Sequence, residues 1–392
     1  MFIPSLNFMY VLIAPNAFKN SLDAGGVADA IKKGFQQSQL KCVCECFPVG
    51  DGGDGTGGLI IRKLKAKKIK SKVADPLGRK ITASFGWLAN NKSAIIEMAD
   101  ASGIRLLKKE ELDPLIASSF GTGEQIKKAL DRGAKTIIIG MGGSATVDGA
   151  TGMLKALGLR YLNKQGSALT HIPADLDQLH TIDVSNLDTR VKHTTFIVLC
   201  DVDNKLTGHN GAAAVFGPQK GASAKDVKVL DKRLRKFASV SRKETGVDMK
   251  TIKRGGTAGG AAAGLYAFLN ARLVNGIDYF LELTGFDKSL KKADIVITGE
   301  GSIDEQTLHG KGPFGVAKLA KEKKVTVIGL AGKTPSKPVS SLKKYFDVLL
   351  SINPPGLKLE KALPATKKNL TKTAKQVGNR LSLRKDDLYS EH

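Results

Sequence analysis

The sequence is short of the residues that build disulfide frameworks and standard zinc sites. Only 4 of its 392 residues are cysteine, and the six histidines are scattered without an H-x-x-x-H pair. Cys42, Cys44 and Cys46 alternate along one predicted strand, which is not a zinc-ligand spacing. We interpret them as small, largely buried residues of a protein in a reducing compartment.

Long apolar runs are also absent. The apolar stretch at 258–269 stops at twelve residues, whereas a membrane-spanning helix needs about 20. No basic residue precedes Lys19, so the N-terminus is a poor secretory signal. These absences predict a cytoplasmic protein with no membrane partner.

Acidic residues are too few to balance the basic ones. The chain has 61 Lys and Arg against 37 Asp and Glu, which gives a net charge of +24. Such a field attracts anions, so nucleic acid and small phosphorylated or carboxylated ligands must be considered. The lysine clusters lack interleaved aromatics, and only 6% of residues are aromatic, so there is little for bases to stack on. We therefore expect no nucleic-acid partner.

What the sequence does contain is a series of short apolar runs that end in glycine-rich loops. Near-continuous Val, Ile and Leu runs are typical of strands buried on both faces of a parallel sheet. Amphipathic segments such as 23–37, 123–134 and 315–324 lie between them, and this alternation predicts an α/β fold. The apolar runs are 10–15, 42–49, 136–143, 196–203, 294–301, 325–332 and 347–352.

The alternation breaks in the middle of the chain. Residues 74–99 are predicted to form antiparallel strands, and 227–251 a charged helix pair. We predict that 1–75 and 275–392 complete one α/β domain around an inserted second α/β domain, 76–274. Residues 118–158 could instead belong to the first sheet.

Polar residues collect where the predicted strands end, which is where open α/β sheets bind their ligands. The loop "PVGDGGDGTGG" contains a G-x-G-x-x-G at 53–58, together with Asp51 and Asp54. Aspartates beside a phosphate make sense if Mg²⁺ lies between them or if they serve a hydroxyl nucleophile. The alternative is a glycine-rich turn whose aspartates cap a helix.

Two later loops carry the same mixture of residues. Residues 140–152 follow a clear strand, and their backbone amides and hydroxyls suit a phosphate at a helix N-terminus. In that loop Asp148 is a metal ligand or a helix cap. Residues 298–313 hold Glu300, Asp304 and Lys311 after a buried strand. By contrast, "GLAGKTP" at 329–335 lacks the first glycine of a P-loop, and we predict a strand-end turn.

Several of these segments resemble the bacterial-type glycerate kinase family. They are "APNAFKNSLDA" (14–24), "FPVGDGGDGT" (47–56), "MGGSATVDGATGMLKALG" (141–158), "CDVDNKLTGHNGAAAVFGPQKGA" (200–222) and "TGEGSIDEQTLHGKGPFGVA" (298–317). The motifs follow the family order from about residue 11 to about residue 353. The family start corresponds to Met9, so the resemblance leaves two alternatives for residues 1–8: an extension or a mis-chosen start. The chain departs from the family pattern at Asn16 and Ala17, where Asp and Ser are usual.

The resemblance implies a flavodoxin-like domain with a second α/β domain and an active site in the cleft between them. It also implies transfer of phosphate from ATP to D-glycerate with Mg²⁺, usually giving 2-phosphoglycerate, by a monomer or homodimer. The alternatives are phosphorylation of the 3-hydroxyl, a kinase of another small hydroxy acid, and a non-catalytic anion- or nucleic-acid-binding protein.

On this interpretation the strand-end residues take the following roles. Lys19 and Lys311 neutralise the transferring phosphate or hold the glycerate carboxylate, and Asp51 or Asp304 accepts the hydroxyl proton. Arg79 is a substrate clamp or an exposed turn arginine. The remaining candidates are Asp51, Asp201 and Glu300 for Mg²⁺, and Gly142, Gly143, Ser144 and Thr146 for the ATP phosphates.

Overall fold

The computed structural model describes residues 8–337 and 339–389, so most of the segment 1–8 lies outside the described residues. The strands are β1 Met9–Ile13, β2 Cys42–Cys46, β3 Lys67–Ala74, β4 Lys80–Leu88, β5 Ser93–Glu97, β6 Thr136–Gly140, β7 Arg160–Leu162, β8 Thr181–Asp183, β9 Thr195–Cys200, β10 Arg272–Asn275, β11 Ile295–Ser302, β12 Thr326–Lys333 and β13 Val348–Ser351. The α-helices are α1 Ala24–Gln36, α2 Thr56–Lys63, α3 Ala99–Ser102, α4 Phe120–Asp131, α5 Thr151–Ala156, α6 Ala212–Phe216, α7 Ala224–Thr245, α8 Ala261–Leu269, α9 Gly276–Leu283, α10 Phe286–Leu290, α11 Gly312–Glu322, α12 Ser340–Lys343 and α13 Leu359–Tyr389.

The chain divides into two compact units. Unit 1 comprises Met1–Asp51 and Ile277–His392, and unit 2 comprises Gly52–Gly276. The sequence analysis places the first boundary after residue 75, whereas the compact units divide before Gly52. The difference arises because β3 pairs with β4 along its whole length, which ties this part of the chain to the second sheet.

Unit 1 is built on a five-stranded, all-parallel sheet of order β13-β12-β11-β1-β2. The apolar runs near both ends of the chain form these strands, as predicted, and Val11 and Ile297 are fully buried. Helices α1 and α13 pack closely on this core: a Cβ at Gly34 would lie 2.5 Å from the Ala374 Cβ. The core between these helices and the sheet is therefore apolar.

Unit 2 is built on a mixed six-stranded sheet of order β10-β9-β6-β5-β4-β3. The strands β5, β6, β9 and β10 run parallel, and the pairs β3–β4 and β4–β5 are antiparallel, as predicted for 74–99. Because β6 lies in this sheet, residues 118–158 belong to unit 2 and not to the first sheet. A separate antiparallel pair, β7–β8, was not predicted.

The prediction of a helix pair at 227–251 is wrong. The structure has one helix, α7, which begins with a capping box between Ser223 and Asp226. It ends at Gly246, whose φ of 73° is left-handed and unwinds the last turn. The residues from Gly246 to Thr251 form turns and irregular structure, not a second helix. Across the described residues, no helix is long and apolar enough to cross a membrane.

Candidate active site

The G-x-G-x-x-G at 53–58 opens helix α2, but the protein itself occupies the helix N-terminus. The Gly57 amide donates to Glu97 Oε2 at 2.5 Å and the Gly58 amide donates to the same oxygen at 3.3 Å. Glu97 is the last residue of β5 and is 4% exposed. The amides that a phosphate would use at this helix therefore already bind a carboxyl group.

Burial raises the pKa of Glu97 from 4.5 to about 8. The negative charge of Asp54 raises it further, and the Gly57 amide opposes the shift by donating to the carboxyl group. Glu97 is thus largely protonated at neutral pH. It caps α2 chiefly as a neutral acid and so adds little negative charge beside Asp54.

The loop after β6 packs directly on the loop at 52–55, backbone against backbone. A Cβ at Gly142 would lie 2.0 Å from the Asp54 nitrogen, and the Gly142 amide donates to Gly52 O. Gly143 has a φ of 69°, in the left-handed region that favours glycine. Both glycines were predicted to cradle ATP phosphates, and Gly142 has in addition a packing reason to be glycine.

The same loop leaves a small part of its backbone available. The Gly142 and Ala145 amides donate to Gly52 O and Ser102 O respectively. Within the described residues, the amides of Gly143 and Ser144 donate no hydrogen bond. This two-residue segment, with the Ser144 hydroxyl, is the part of the predicted phosphate loop that can still bind an anion.

A buried lysine supports this segment from inside. Lys220 is 2% exposed, and its Nζ donates to Ser144 Oγ at 2.8 Å and to Thr146 O at 2.7 Å. Burial lowers the pKa of Lys220 to about 7, and the negative charge of Asp148 opposes the shift. Thr146 is fully buried, and its Oγ1 has no partner among the described residues.

Asp148 acts as a cap. Its oxygens accept hydrogen bonds from the Ser119 amide and hydroxyl and from the Ala150 and Gly152 amides, at 2.7–3.2 Å. These bonds satisfy the start of α5, where the sequence predicted a phosphate. Of the two alternatives for Asp148, the helix cap is therefore the one that the structure supports.

Two other predicted site residues, Arg79 and Asp201, also belong to unit 2. Arg79, in the turn between β3 and β4, is paired with Asp75 at 2.5 Å and with Glu111 at 2.6 Å. Its guanidinium is thus engaged by one carboxylate of the turn and by Glu111 outside it, and its role as a substrate clamp stays a prediction. Asp201 follows β9, and a Cβ at Gly52 would lie 3.2 Å from its nitrogen, so it borders the first loop.

In unit 1, Glu300 lies near the end of β11 and is 8% exposed. Its Oε1 accepts a hydrogen bond from the Thr307 hydroxyl at 2.9 Å. Burial raises the pKa of Glu300 to about 7; Lys311 and Lys19 lower it, and Asp51 raises it. These electrostatic effects show that the structure brings together four of the predicted site residues: Lys19, Asp51, Glu300 and Lys311.

The Asp51 carboxylate is held by its neighbours. Asn16 Nδ2 donates to Asp51 Oδ2 at 2.8 Å, and the Gly312 amide lies 3.4 Å from the same oxygen. Asn16 is thus the residue that orients Asp51, at the position where the family pattern usually has Asp. In the part of the chain that the structure describes, neither Lys19 nor Lys311 forms an ion pair within 4 Å, so both charges are available to an anion.

Asp304 is bonded within its own turn. Its Oδ1 accepts from the Gln306 amide at 2.9 Å, and it is the N-cap of the short 3₁₀ helix Glu305–His309. Its Oδ2 lies 3.3 Å from the Ser302 hydroxyl. Asp304 therefore has a structural role, and its predicted role as a proton acceptor stays untested.

An all-protein metal cage is absent from the described residues: no group of three or more His, Cys, Asp or Glu is arranged to hold an ion. Mg²⁺ does not need such a cage, since it usually takes one or two carboxylates together with phosphate oxygens and waters. Glu300 fits that demand, because a nearby divalent cation would favour the ionised form that burial disfavours.

Two buried residues of this region, Lys220 and Glu97, are missing from the sequence-based site. Each has a weak local signal: Lys220 is a lone lysine in "AAAVFGPQKGA", and Glu97 interrupts the apolar run "AIIEMA". A lone charge in an apolar segment is a reason to suspect a buried, functional or capping group.

Both units place buried ionisable groups beside glycine-rich loops near strand ends, an arrangement typical of α/β enzymes that bind anionic groups. A family model described as the glycerate kinase family matches residues 11–382. The chain therefore belongs to the glycerate kinase family, whose members are phosphotransferases.

Individual relatives agree with this membership. The chain is 43% identical over 377 residues to a Bacillus subtilis glycerate kinase, covering 96% of this chain and 99% of that protein. It is 44% identical over 324 residues to the Escherichia coli glycerate 2-kinase, covering 83% and 85%. A crystal structure described as a candidate glycerate kinase 2 from Salmonella typhimurium matches with a TM-score of 0.81 and 40% identity, over 97% of this chain and 100% of that one.

Proposed function

We propose that the protein phosphorylates D-glycerate with ATP and Mg²⁺ and releases 2-phosphoglycerate. The observation that carries this proposal is the group formed by Glu300, Asp51, Lys19 and Lys311 in unit 1. It combines a buried carboxyl group, that of Glu300, and a half-buried one, that of Asp51, with two ammonium groups that form no ion pair within 4 Å among the described residues. Phosphoryl transfer needs these parts: a proton acceptor, a metal-binding carboxylate and cations for the phosphate charge.

The two lysines bind and orient the anionic substrate. D-glycerate carries one carboxylate, and its product carries a phosphate as well, so a site for it needs more than one cation. Lys19 and Lys311 supply two positive charges, and among the described residues neither is held in an ion pair within 4 Å. We assign one to the glycerate carboxylate and the other to the transferring phosphate.

Asp51 is the better candidate for the proton acceptor. Asn16 donates to its Oδ2 and so fixes the orientation of the carboxylate, whereas the Asp304 oxygens accept hydrogen bonds within their own turn. A fixed carboxylate can accept the proton of the attacking hydroxyl without reorganisation. Glu300 would then bind Mg²⁺, which neutralises the charge that develops on the phosphate oxygens.

In unit 2, the loop at 143–144 is our proposed contact for the ATP phosphates. Two amides that have no acceptor among the described residues, together with one hydroxyl, are suitable donors for a phosphate oxygen. The name of the Escherichia coli relative, glycerate 2-kinase, supports phosphorylation at the 2-hydroxyl.

The test is coupled ADP release with D-glycerate, ATP and Mg²⁺, with the product identified by phosphorus NMR. A product with the phosphate at the 2-position is the expected result. A 3-phosphoglycerate signal would overturn the regiochemistry alone. Absence of turnover in folded protein with D-glycerate, together with turnover of another hydroxy acid, would overturn the substrate.

A further inference from the structure

The feature that reaches beyond this function is the hydrogen bond between Lys220 and Ser144. Lys220 Nζ donates to Ser144 Oγ and to Thr146 O, so two of its hydrogens are in use inside the protein. A side chain that is 2% exposed cannot itself reach a nucleotide in solvent. Any effect that it has on a ligand by hydrogen bonding must therefore pass through the groups it binds.

The donor and acceptor roles in this hydrogen bond determine where the Ser144 hydroxyl hydrogen can point. An ammonium group can only donate, so Ser144 Oγ accepts from it and the hydroxyl hydrogen must point elsewhere. A neutral amine has a lone pair and can accept, so the same hydroxyl hydrogen could turn inward to Nζ. The protonation state of Lys220 thus decides whether Ser144 is a donor toward the loop surface.

The surroundings of Lys220 allow both states. Asp148 is the charged group that faces it, and the Asp148 oxygens already accept hydrogen bonds from Ser119, Ala150 and Gly152. In the described residues no carboxylate lies within 4 Å of Lys220 Nζ. A phosphate on the loop would supply a further negative charge and would favour the ammonium form.

We propose that Lys220 is a positioning residue that directs the Ser144 hydroxyl toward a nucleotide phosphate, so that phosphate binding requires protonated Lys220. This inference rests on the proposed function, because it takes the loop at 143–144 as the phosphate contact. It adds a proton linkage to that site and assigns a role to a residue that does not touch the ligand.

The experiment measures the affinity for Mg-ADP by calorimetry between pH 6.5 and pH 9 in the full-length wild type and in Ser144→Ala. The wild type should lose about tenfold in affinity as pH rises, since a shift of one pKa unit between free and bound states corresponds to a factor of ten. Ser144→Ala should stay within about twofold over the same range. Ionisation of the nucleotide affects both proteins equally, so it cancels when their pH dependences are compared.

A double-mutant cycle tests the route through Ser144. Lys220→Met should weaken binding about tenfold at pH 6.5 in the wild type, but less than about twofold in the Ser144→Ala background. Lys228→Met, which removes an exposed lysine, is the matched control and should leave affinity unchanged. Circular dichroism establishes that each variant is folded, and if Lys220→Met is not, the pH comparison decides alone.

Two outcomes overturn the inference. One is an equal pH dependence in wild type and Ser144→Ala, and the other is an equal effect of Lys220→Met in both backgrounds. Turnover of D-glycerate with ATP is measured on the same wild-type preparation. Turnover with either outcome rejects only the role of Lys220, whereas no turnover and no Mg-ADP binding at any pH reject the proposed function as well.

Discussion

At the scale of single residues, the protein keeps three ionisable groups near neutrality by burying them. The pKa of Glu300 and of Lys220 is about 7, that of Glu97 is about 8, and burial is the largest cause in each case. Perturbed pKa values concentrate at functional sites. The three groups nevertheless have different roles here, because Glu97 caps a helix.

The charge of Glu300 is expected to be essential for turnover. Glu300→Gln keeps an oxygen that can accept from Thr307 but removes the carboxylate, so we expect kcat to fall by at least about a hundredfold. Steady-state kinetics with saturating D-glycerate and ATP measures this, with the exposed Glu322→Gln as the control. Full activity of Glu300→Gln would remove this residue from the site.

Glu97 is expected to make stability fall with rising pH. Its pKa is raised from 4.5 to about 8 in the folded protein, so between these values the native state holds a proton that the unfolded chain has lost. Stability contributed by this group is therefore present below about pH 4.5 and is lost as pH rises to about 8.

Glu97→Gln should flatten this dependence, because the amide oxygen still accepts from Gly57 and carries no charge. Urea unfolding at pH 5 and pH 8.5 measures it. The wild type should lose up to about 4 kcal/mol more than the variant between these pH values. Equal slopes in the two proteins would show that Glu97 is not protonated at neutral pH.

How far sequence could predict the site differs between the two kinds of residue. Glu300 lies near the end of a recognisable strand, and Lys19, Asp51 and Lys311 lie in the segments that follow such strands. The topology of a parallel sheet brings the ends of its strands to one edge and so brings such segments together. Lys220 depends on contacts with residues 144 and 146, far away in the chain, and no local pattern encodes such burial. The residues of the site in unit 1 could therefore be predicted from the sequence, whereas the contact of Lys220 with the loop at 143–144 in unit 2 could not.

At the scale of elements, both helix starts that were predicted to bind phosphate are capped by the protein itself. Glu97 binds the first turn of α2, and Asp148 binds the first turn of α5. A helix N-terminus attracts any anion, and the sequence pattern does not say whether that anion is a ligand or a side chain.

The strands and the helix α7 also show where sequence patterns fail to predict an element. Most of the parallel strands were predictable because their apolar runs are continuous and most of them lead into glycine-rich loops. By contrast, β7, β8 and β10 have three or four residues each, too few for a periodic pattern to stand out. The helix α7 was mistaken for a pair because its many charges hide one apolar stripe.

The close approach of the two glycine-rich loops of unit 2 predicts a sharp difference between two glycine substitutions. Gly142→Ala would place a Cβ 2.0 Å from backbone atoms of residues 53 and 54, so we expect a loss of at least about 3 kcal/mol or no folded protein. Gly58→Ala meets nothing within 4 Å and lies in α2 with a negative φ, so it should stabilise by about 0.5–1 kcal/mol. Chemical unfolding of the two variants measures both effects, and equal stabilities would contradict the packing of these loops.

At the scale of the whole molecule, the net charge of +24 separates a small-molecule enzyme from a polyanion-binding protein. Binding of a polyanion through many lysines should weaken about a thousandfold between 50 and 200 mM salt, because counter-ions are released. Turnover of D-glycerate should fall less than about fivefold, since few charges act in a partly buried site. Kinetics over a KCl series measures this. A hundredfold loss of turnover would indicate that the protein acts through its overall positive charge.

The order of the chain has a consequence for how unit 1 is made in the cell. Strand β1 pairs on one side with β2 and on the other with β11, yet all of unit 2 separates β2 from β11 in the sequence. At about 5–20 residues per second, the ribosome takes on the order of tens of seconds to supply the missing neighbour. During that interval the apolar edge of β1 stays open on the nascent chain, and slower translation prolongs the period in which it can aggregate or recruit a chaperone.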